Sequence, residues 1–405
     1  MNNSTPHNFV IVLSILVLAG SASIMSTDLY TPSLPHLPGY FDTTASLVKL
    51  TVSLNLLMFG VAQLLHGPLS DRFGRRPVLL TAICFFTLFS IACAMAQSIG
   101  QLIAARMLQG FCAAAEAVIC LAIFKDLFED KRQIKALAIY GMAIAVAPAV
   151  APIIGGYVHV LFGWRMNFVL IAGLGVLTAI LIWFLLPESS KPDPQALRPR
   201  QLRRGYAYLL TNRQFLIYAS MLGVGLGAIY VFVTGGPFIL INQFDVPTEH
   251  FGYYQVVIVA AFFVGSVIAT RLIDHWDADA LLNLGLVALV IGGIALTALV
   301  FIGGLSPATL TISFSLIALG LGPLFAVAPS KAMQVADRRA GAAAAMLGAF
   351  EMTISGLAAS AISVFHDGTA RPLGLTLGVL VIAIVVLGRV AHRQKVLDPA
   401  PRVAQ

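Results

Sequence analysis

The chain has 405 residues, of which 59% are hydrophobic and only 11% charged, and its mean hydropathy is +0.90. Soluble domains carry about a quarter charged residues, so the composition excludes a water-soluble globular fold and implies a chain solvated by lipid. The net charge of +7 is no argument for nucleic acid, because the basic residues are spread over many short segments and gathered on no single face.

Apolar runs of about 20 residues, each long enough at 1.5 Å per residue to cross about 30 Å of hydrocarbon, recur along the chain. Twelve spanning helices are predicted, at 9–30, 45–65, 77–96, 100–122, 136–158, 165–186, 214–241, 251–271, 280–303, 307–328, 341–364 and 372–390. The first run follows no Lys or Arg and precedes Pro-rich sequence with no small-residue cleavage site, so it is expected to be retained as a helix. A polar break at 187–213, rich in Pro and Arg, separates an N-terminal six-helix bundle (1–186) from a C-terminal bundle with its tail (214–405). This linker is expected to be extended and cytoplasmic, either a plain tether or a segment lying against anionic headgroups.

The halves echo each other: Pro32 and Pro237 close the first and seventh spans, and Asp71 and Asp274 follow the second and eighth. The predicted fold is therefore an all-α membrane protein, twelve transmembrane helices in two pseudo-symmetric six-helix bundles. Its substrate site is expected between the halves near the midplane, with access alternating as they rock. With both termini inside, 21 of the 25 Lys and Arg residues, Arg338, Arg339 and Arg402 among them, fall in cytoplasmic segments. That is the sense set by the positive-inside rule.

Taken in chain order, the charges inside the spans come first. A charge near the bilayer centre costs about 2.5–3.5 kcal/mol, so such residues face a cavity or a partner. Asp28 lies near the end of the first span and Arg106 in the outer half of the fourth. If Asp28 is buried, the two are placed to pair across adjacent helices. Glu116 lies deeper in the fourth span and Glu351 near the middle of the eleventh. An exchanger needs a carboxyl that binds either a proton or substrate, and Asp28 beside Arg106 is the first choice; an interfacial aspartate or a fixed ion pair is the competing reading. Glu116 and Glu351 tune cation preference or carry a second proton, or else make helix–helix hydrogen bonds in protonated form.

Tyr30, Asn55, Met58, Tyr230, Phe238 and Tyr254 are candidates to line a permissive lipophilic site, though lipid-facing or packing positions stay open for each. Cys84, Cys93, Cys112 and Cys120 read as packing residues, and the eight histidines, His7 and His366 included, show no metal-like spacing. Neither an enzyme nor a metal centre is expected, and a two-half repeat suits a carrier better than a continuous pore.

Four motifs sharpen this reading. Gly67-Pro68-Leu69-Ser70-Asp71-Arg72-Phe73-Gly74-Arg75-Arg76, placed in the loop after the second span, is similar to the G-x-L-x-D-R-x-G-R-[KR] signature of the major facilitator superfamily. The resemblance implies that Gly67 admits a helix of the other half, and that Asp71, Arg72, Gly74, Arg75 and Arg76, with Asp126 in the loop after the fourth span, form a conformational latch. In it, Asp71 would lie near the amino end of the eleventh helix.

Arg106-Met107-Leu108-Gln109-Gly110 resembles the R-x-x-Q-G motif of the drug:proton antiporter branch. The segment from Ala147 to Gly156, with Pro148, Pro152, Gly155 and Gly156, resembles its antiporter motif, with Ala151 in place of a glycine. Thr27-Asp28-Leu29-Tyr30-Thr31-Pro32-Ser33-Leu34-Pro35 is similar to the first helix of Bcr/CflA transporters. The resemblance implies a proton-coupled antiporter exporting small lipophilic drugs across a bacterial inner membrane. It would work as a monomer, with small-molecule substrate, protons and the lipid bilayer as partners and no cofactor beyond the proton gradient. A dedicated exporter of an endogenous metabolite, such as a siderophore or amino-acid derivative, is the alternative.

Overall fold

The computed structural model describes residues 8–336, 340–365 and 367–397. His7, Arg338, Arg339, His366 and Arg402 lie outside them. The described residues form helices α1 (Phe9–Asp28), α2 (Leu37–Tyr40), α3 (Ala45–Phe73), α4 (Arg75–Met95), α5 (Ile99–Leu127), α6 (Asp130–Phe162) and α7 (Trp164–Leu185). They continue with α8 (Pro199–Thr211), α9 (Arg213–Pro237), α10 (Phe251–Leu272), α11 (Ala278–Ile302), α12 (Pro307–Met333), α13 (Ala340–Val364) and α14 (Arg371–Leu397). No strand occurs among the described residues, and twelve helical segments are long and apolar enough to span a membrane. They are arranged as six plus six.

Polar side chains start several spans: Asn8, Thr44, Ser98, Asn212 and Ser306 each accept from a backbone N–H of the first turn. Outward-facing positions are apolar, as at Phe184 and Val379, 74% and 65% exposed. Such positions would be unstable in water and are at home against lipid.

The end of the molecule that carries 187–213 is called the linker face here, and the opposite end the far face. The first span reaches further than its hydropathy suggested. It passes from α1 through a 3-10 turn (Thr31–His36) into α2, because Pro32 and Pro35 supply no N–H for a continuous α-ladder. The seventh span ends comparably, with Pro237 followed by a π-turn over Phe238–Gln243.

Two further expectations are corrected. The glycine- and arginine-rich motif is not a loop: Gly67 to Phe73 are the last turns of α3, broken only at Gly74, whose φ of +100° suits glycine. Pro68 fits inside the helix because the Leu64 carbonyl, deprived of its partner four residues on, accepts a 2.8 Å bond from the Tyr206 hydroxyl. Tyr206 belongs to α8, so the linker is not wholly extended either.

The halves meet along α3 and α13, where Gly356 packs on Leu57, Gly60 on Thr353 and Gly348 on Gln63. They meet again toward the far face, where Gly156 of α6 packs on the Thr248 carbonyl and Gly252 of α10 on Ile153. Close approach is obligatory at Gly155, since a Cβ there would stand 1.7 Å from the Leu29 carbonyl oxygen.

Candidate functional site

Arg106 is the largest fully buried side chain of the N-terminal half, 0% exposed. Its Nη1 donates to the Ser26 carbonyl (3.0 Å) and to Gln109 Oε1 (2.5 Å), and its Nη2 to Thr27 Oγ1 (3.2 Å). The network extends both ways. Gln109 Nε2 donates to Ser90 Oγ (2.7 Å), Thr27 Oγ1 to Asn55 Oδ1 (3.3 Å), and Asn55 Nδ2 to the Arg106 carbonyl (2.7 Å). The guanidinium also stands over the Tyr30 and Phe168 rings at 5.3 and 5.9 Å. Four helices, α1, α3, α4 and α5, are tied together by these side chains, so a charge that would be costly in lipid becomes their organising centre.

Asp28 is the last residue of α1 and only 4% exposed. The ion pair with Arg106 raised by the sequence is not made; ion pairs are formed elsewhere, among them Arg75–Asp71, Arg75–Asp126 and Lys331–Asp279. The reason is geometric: the Arg106 donors are turned into the N-terminal half, whereas Asp28 meets the other half. Gln255 of α10 stands close enough to the Asp28 carboxyl to interact with it. Tyr230 of α9 lies within electrostatic reach of both Asp28 and Glu351, and Glu351 is half-buried on α13. The sequence-predicted residues Asp28, Tyr230 and Glu351 are thus brought together where the halves meet, with Arg106 behind Asp28.

Gln255 was not foreseen. It is 3% exposed, and its Nε2 donates to the Pro148 carbonyl at 3.0 Å. That carbonyl is available because Pro152, four residues on, has no N–H to give it. Since Pro148 O and the Asp28 carboxylate are both acceptors, the amide must turn its NH2 toward them. Its Oε1 is left buried without a partner. The signal in the sequence was an amide within the apolar run 251–271.

The other candidates are dispersed. Glu116 is fully buried on α5, with neither carboxyl oxygen hydrogen-bonded, so the helix–helix bond considered for it is not formed. Tyr30 is 1% exposed, hydrogen-bonds Thr51 and belongs to an apolar cluster that includes Phe238 and Ala359 of the other half, whereas Asn55 is spent within the Arg106 network. Met58, Tyr230 and Tyr254 are half-buried. Phe238 lies under the Lys49 ammonium, 4.6 Å from the ring centroid, and lines a far-face cavity of about 280 Å³ with Lys49, Asn242 and Gln243. Among the described residues no three His, Cys, Asp or Glu side chains gather as metal ligands would.

At the linker face, Arg75 bonds Asp71 (2.5 Å), Ser70 Oγ (2.6 Å) and Asp126 (3.1 Å), the last in the final turn of α5 and not in a loop. Arg72 stacks near Phe73, and Arg76 donates to the Trp183 carbonyl. Gly67 faces Val118 of its own half, not a helix of the other. Residues 337–339, which precede α13 at whose amino end Asp71 was expected, lie outside the described residues. An unforeseen member is Glu188, whose carboxylate accepts from the Arg75 and Arg76 backbone N–H groups (2.9 and 3.2 Å) and so caps α4 from the start of the linker.

The profile of the Major Facilitator Superfamily matches residues 16–363. A bicyclomycin resistance protein homolog of Haemophilus influenzae is 27% identical over 388 residues, covering 95% of this chain and 96% of its own. A chloramphenicol resistance protein of Pseudomonas aeruginosa is 29% identical, covering 90% and 86%. In structure, the xylose transporter XylE from E. coli, in a partially occluded inward open conformation, superposes with a TM-score of 0.72 at 14% identity over 94% and 97% of the two chains, a likeness of fold alone. With twelve candidate spans in two bundles and a profile match over most of its length, the chain belongs to the Major Facilitator Superfamily and is a multi-pass membrane transporter, not an enzyme.

Proposed function

We propose that the protein is a proton-coupled antiporter that exports small lipophilic drugs by alternating access, with Asp28 binding proton and substrate in turn. The observation that carries this reading is the placement of Asp28. It is a buried carboxyl at the junction of the halves, held by no ion pair and facing a hydrogen-bond donor of the opposite half. A carboxyl so placed is free to exchange a proton for a ligand, which a fixed salt bridge would prevent. Arg106 supplies a permanent positive field behind it while its Nη1 and Nη2 stay engaged. The half-buried Met58, Tyr230 and Tyr254, with Glu351, suit a largely apolar wall with few fixed polar groups.

The relatives' names, resistance to bicyclomycin and to chloramphenicol, support drugs as substrates. The distribution of Lys and Arg supports an inner-membrane protein with both termini cytoplasmic, which makes the linker face the cytoplasmic one. In this reading the cluster of Asp71, Arg75, Asp126 and Glu188 latches that face when the transporter opens outward, and the protein works as a monomer.

A susceptibility panel in a host stripped of its own pumps tests the proposal. The wild type should raise resistance to several unrelated lipophilic drugs, and Asp28→Asn should return the host to its unprotected level. Undiminished resistance with Asp28→Asn would refute the assignment of Asp28, and protection against one compound alone would favour a dedicated exporter.

A further inference from the structure

An exchanger has a requirement beyond binding two ligands at one carboxyl. When that carboxyl is empty and ionised the halves must not rock, or protons run down their gradient without moving substrate. The geometry points to Gln255 as the residue that imposes this rule, by locking the far face while Asp28 is ionised; the inference rests on Asp28 being the proton carrier.

Gln255 stands on α10, in the C-terminal half, and its Nε2 donates across the halves to the Pro148 carbonyl on α6 at 3.0 Å. The Asp28 carboxyl at the end of α1 lies beside the same amide, within its reach as a second acceptor. The Pro148 acceptor exists only because Pro152 has no N–H to offer it, so the two prolines leave a backbone carbonyl open to the opposite bundle. The surroundings seal this clasp. Gly156 lies against Thr248 and Gly252 against Ile153, His36 Nε2 and Thr248 Oγ1 are 2.8 Å apart, and the Tyr157 and Tyr253 hydroxyls are 3.0 Å apart. All of these join the halves toward the far face.

The charge of Asp28 sets the strength of the clasp. A hydrogen bond from an amide N–H to a carboxylate is about twice as strong as one to a neutral acid. With Asp28 ionised, Gln255 is held on both acceptors and the far face stays shut. A proton on the carboxyl weakens the bond, and a bound substrate takes the carboxyl for itself. Either one frees the amide and allows the halves to part.

The other charged or titratable groups about Asp28 are Arg106 from α5, Tyr230 from α9 and, beyond Tyr230, Glu351 from α13. None of these clasps α6 to α10. Gln255 is therefore a positioning residue for coupling, acting through Asp28, and a merely structural role would not tie its effect to the charge of that residue.

The test is proton leak without substrate. Wild type, Gln255→Met, Asp28→Asn and the double variant are purified as full chains and reconstituted in liposomes with an imposed pH gradient and no drug, and its decay is followed with an internal pH dye. Wild type and Asp28→Asn should hold the gradient. Gln255→Met, similar in size but without donors, should dissipate it several-fold faster, and adding Asp28→Asn should abolish that leak. Gln255→Lys, which donates and cannot accept, checks the sign independently: it should hold Asp28 more firmly, show no leak and slow drug export. A tight Gln255→Met transporter, or a leak that survives in the double variant, overturns the inference. Failure of the underlying reading has its own signature, drug-driven proton movement in Asp28→Asn equal to the wild type.

Discussion

Among the described residues, 20 of the 27 buried polar or charged side chains fall in the N-terminal half and seven in the C-terminal half, so the two bundles are held by different forces. In the first, hydrogen bonds centred on Arg106 join four helices, and the apolar core is divided into three clusters around them. In the second, one apolar cluster runs from Leu209 to Ile384, and helices approach through small residues. Gly265 packs on Leu319, Gly285 on Gly320 and Gly292 on Ser313. The comparison separates tasks: one half carries the buried polar network and the carboxyl proposed to exchange protons, and the other supplies an apolar wall from which Gln255 and Glu351 reach in.

Substitutions that attack each half by its own means test this division. The largest effect is expected at Gly322, where a Cβ would lie 2.2 Å from the Gly265 carbonyl carbon. Gly322→Val should force α10 and α12 apart at a cost of about 3 kcal/mol, read as loss of folded protein on heating in detergent. Arg106→Leu should cost about 1–3 kcal/mol for each strongly held acceptor it strands, chiefly Gln109 Oε1. Partial repair by local water should leave the net effect below that of Gly322→Val, and the same unfolding assay ranks the two. Glu116→Met should have the smallest effect and the opposite sign. Replacing a buried carboxyl whose oxygens have no partner should stabilise the fold by about 1 kcal/mol. A destabilised Glu116→Met would mean that the carboxyl has a partner in the membrane.

The fold was legible because spanning helices announce themselves by length and hydropathy, and the division into halves by one polar break. Asp28, Arg106, Glu116 and Glu351 stood out for the cost of charge in hydrocarbon. Their partners did not, because a helix's rotation and its neighbour's register are set by packing that one sequence does not spell out. Asn55 therefore turned inward to the N-terminal network, and Asp28 came to lie beside Gln255 without pairing with Arg106. The motif at Gly67 to Arg76 was readable as a cluster, yet its helical state depends on Tyr206 satisfying the Leu64 carbonyl from the linker. Gln255 was hidden for a similar reason. Its acceptor exists only because Pro152 withholds an N–H from Pro148, which becomes visible once α10 is known to lie alongside.

The central claim is that drug leaves in exchange for protons carried on Asp28. The most direct test is to load liposomes containing the purified transporter with a pH dye, add a lipophilic drug that the wild type exports, and record proton movement against drug movement. The account predicts opposite directions for drug and protons in the wild type and no coupled proton movement with Asp28→Asn. Movement of both in the same direction, or unchanged exchange with Asp28→Asn, would contradict it.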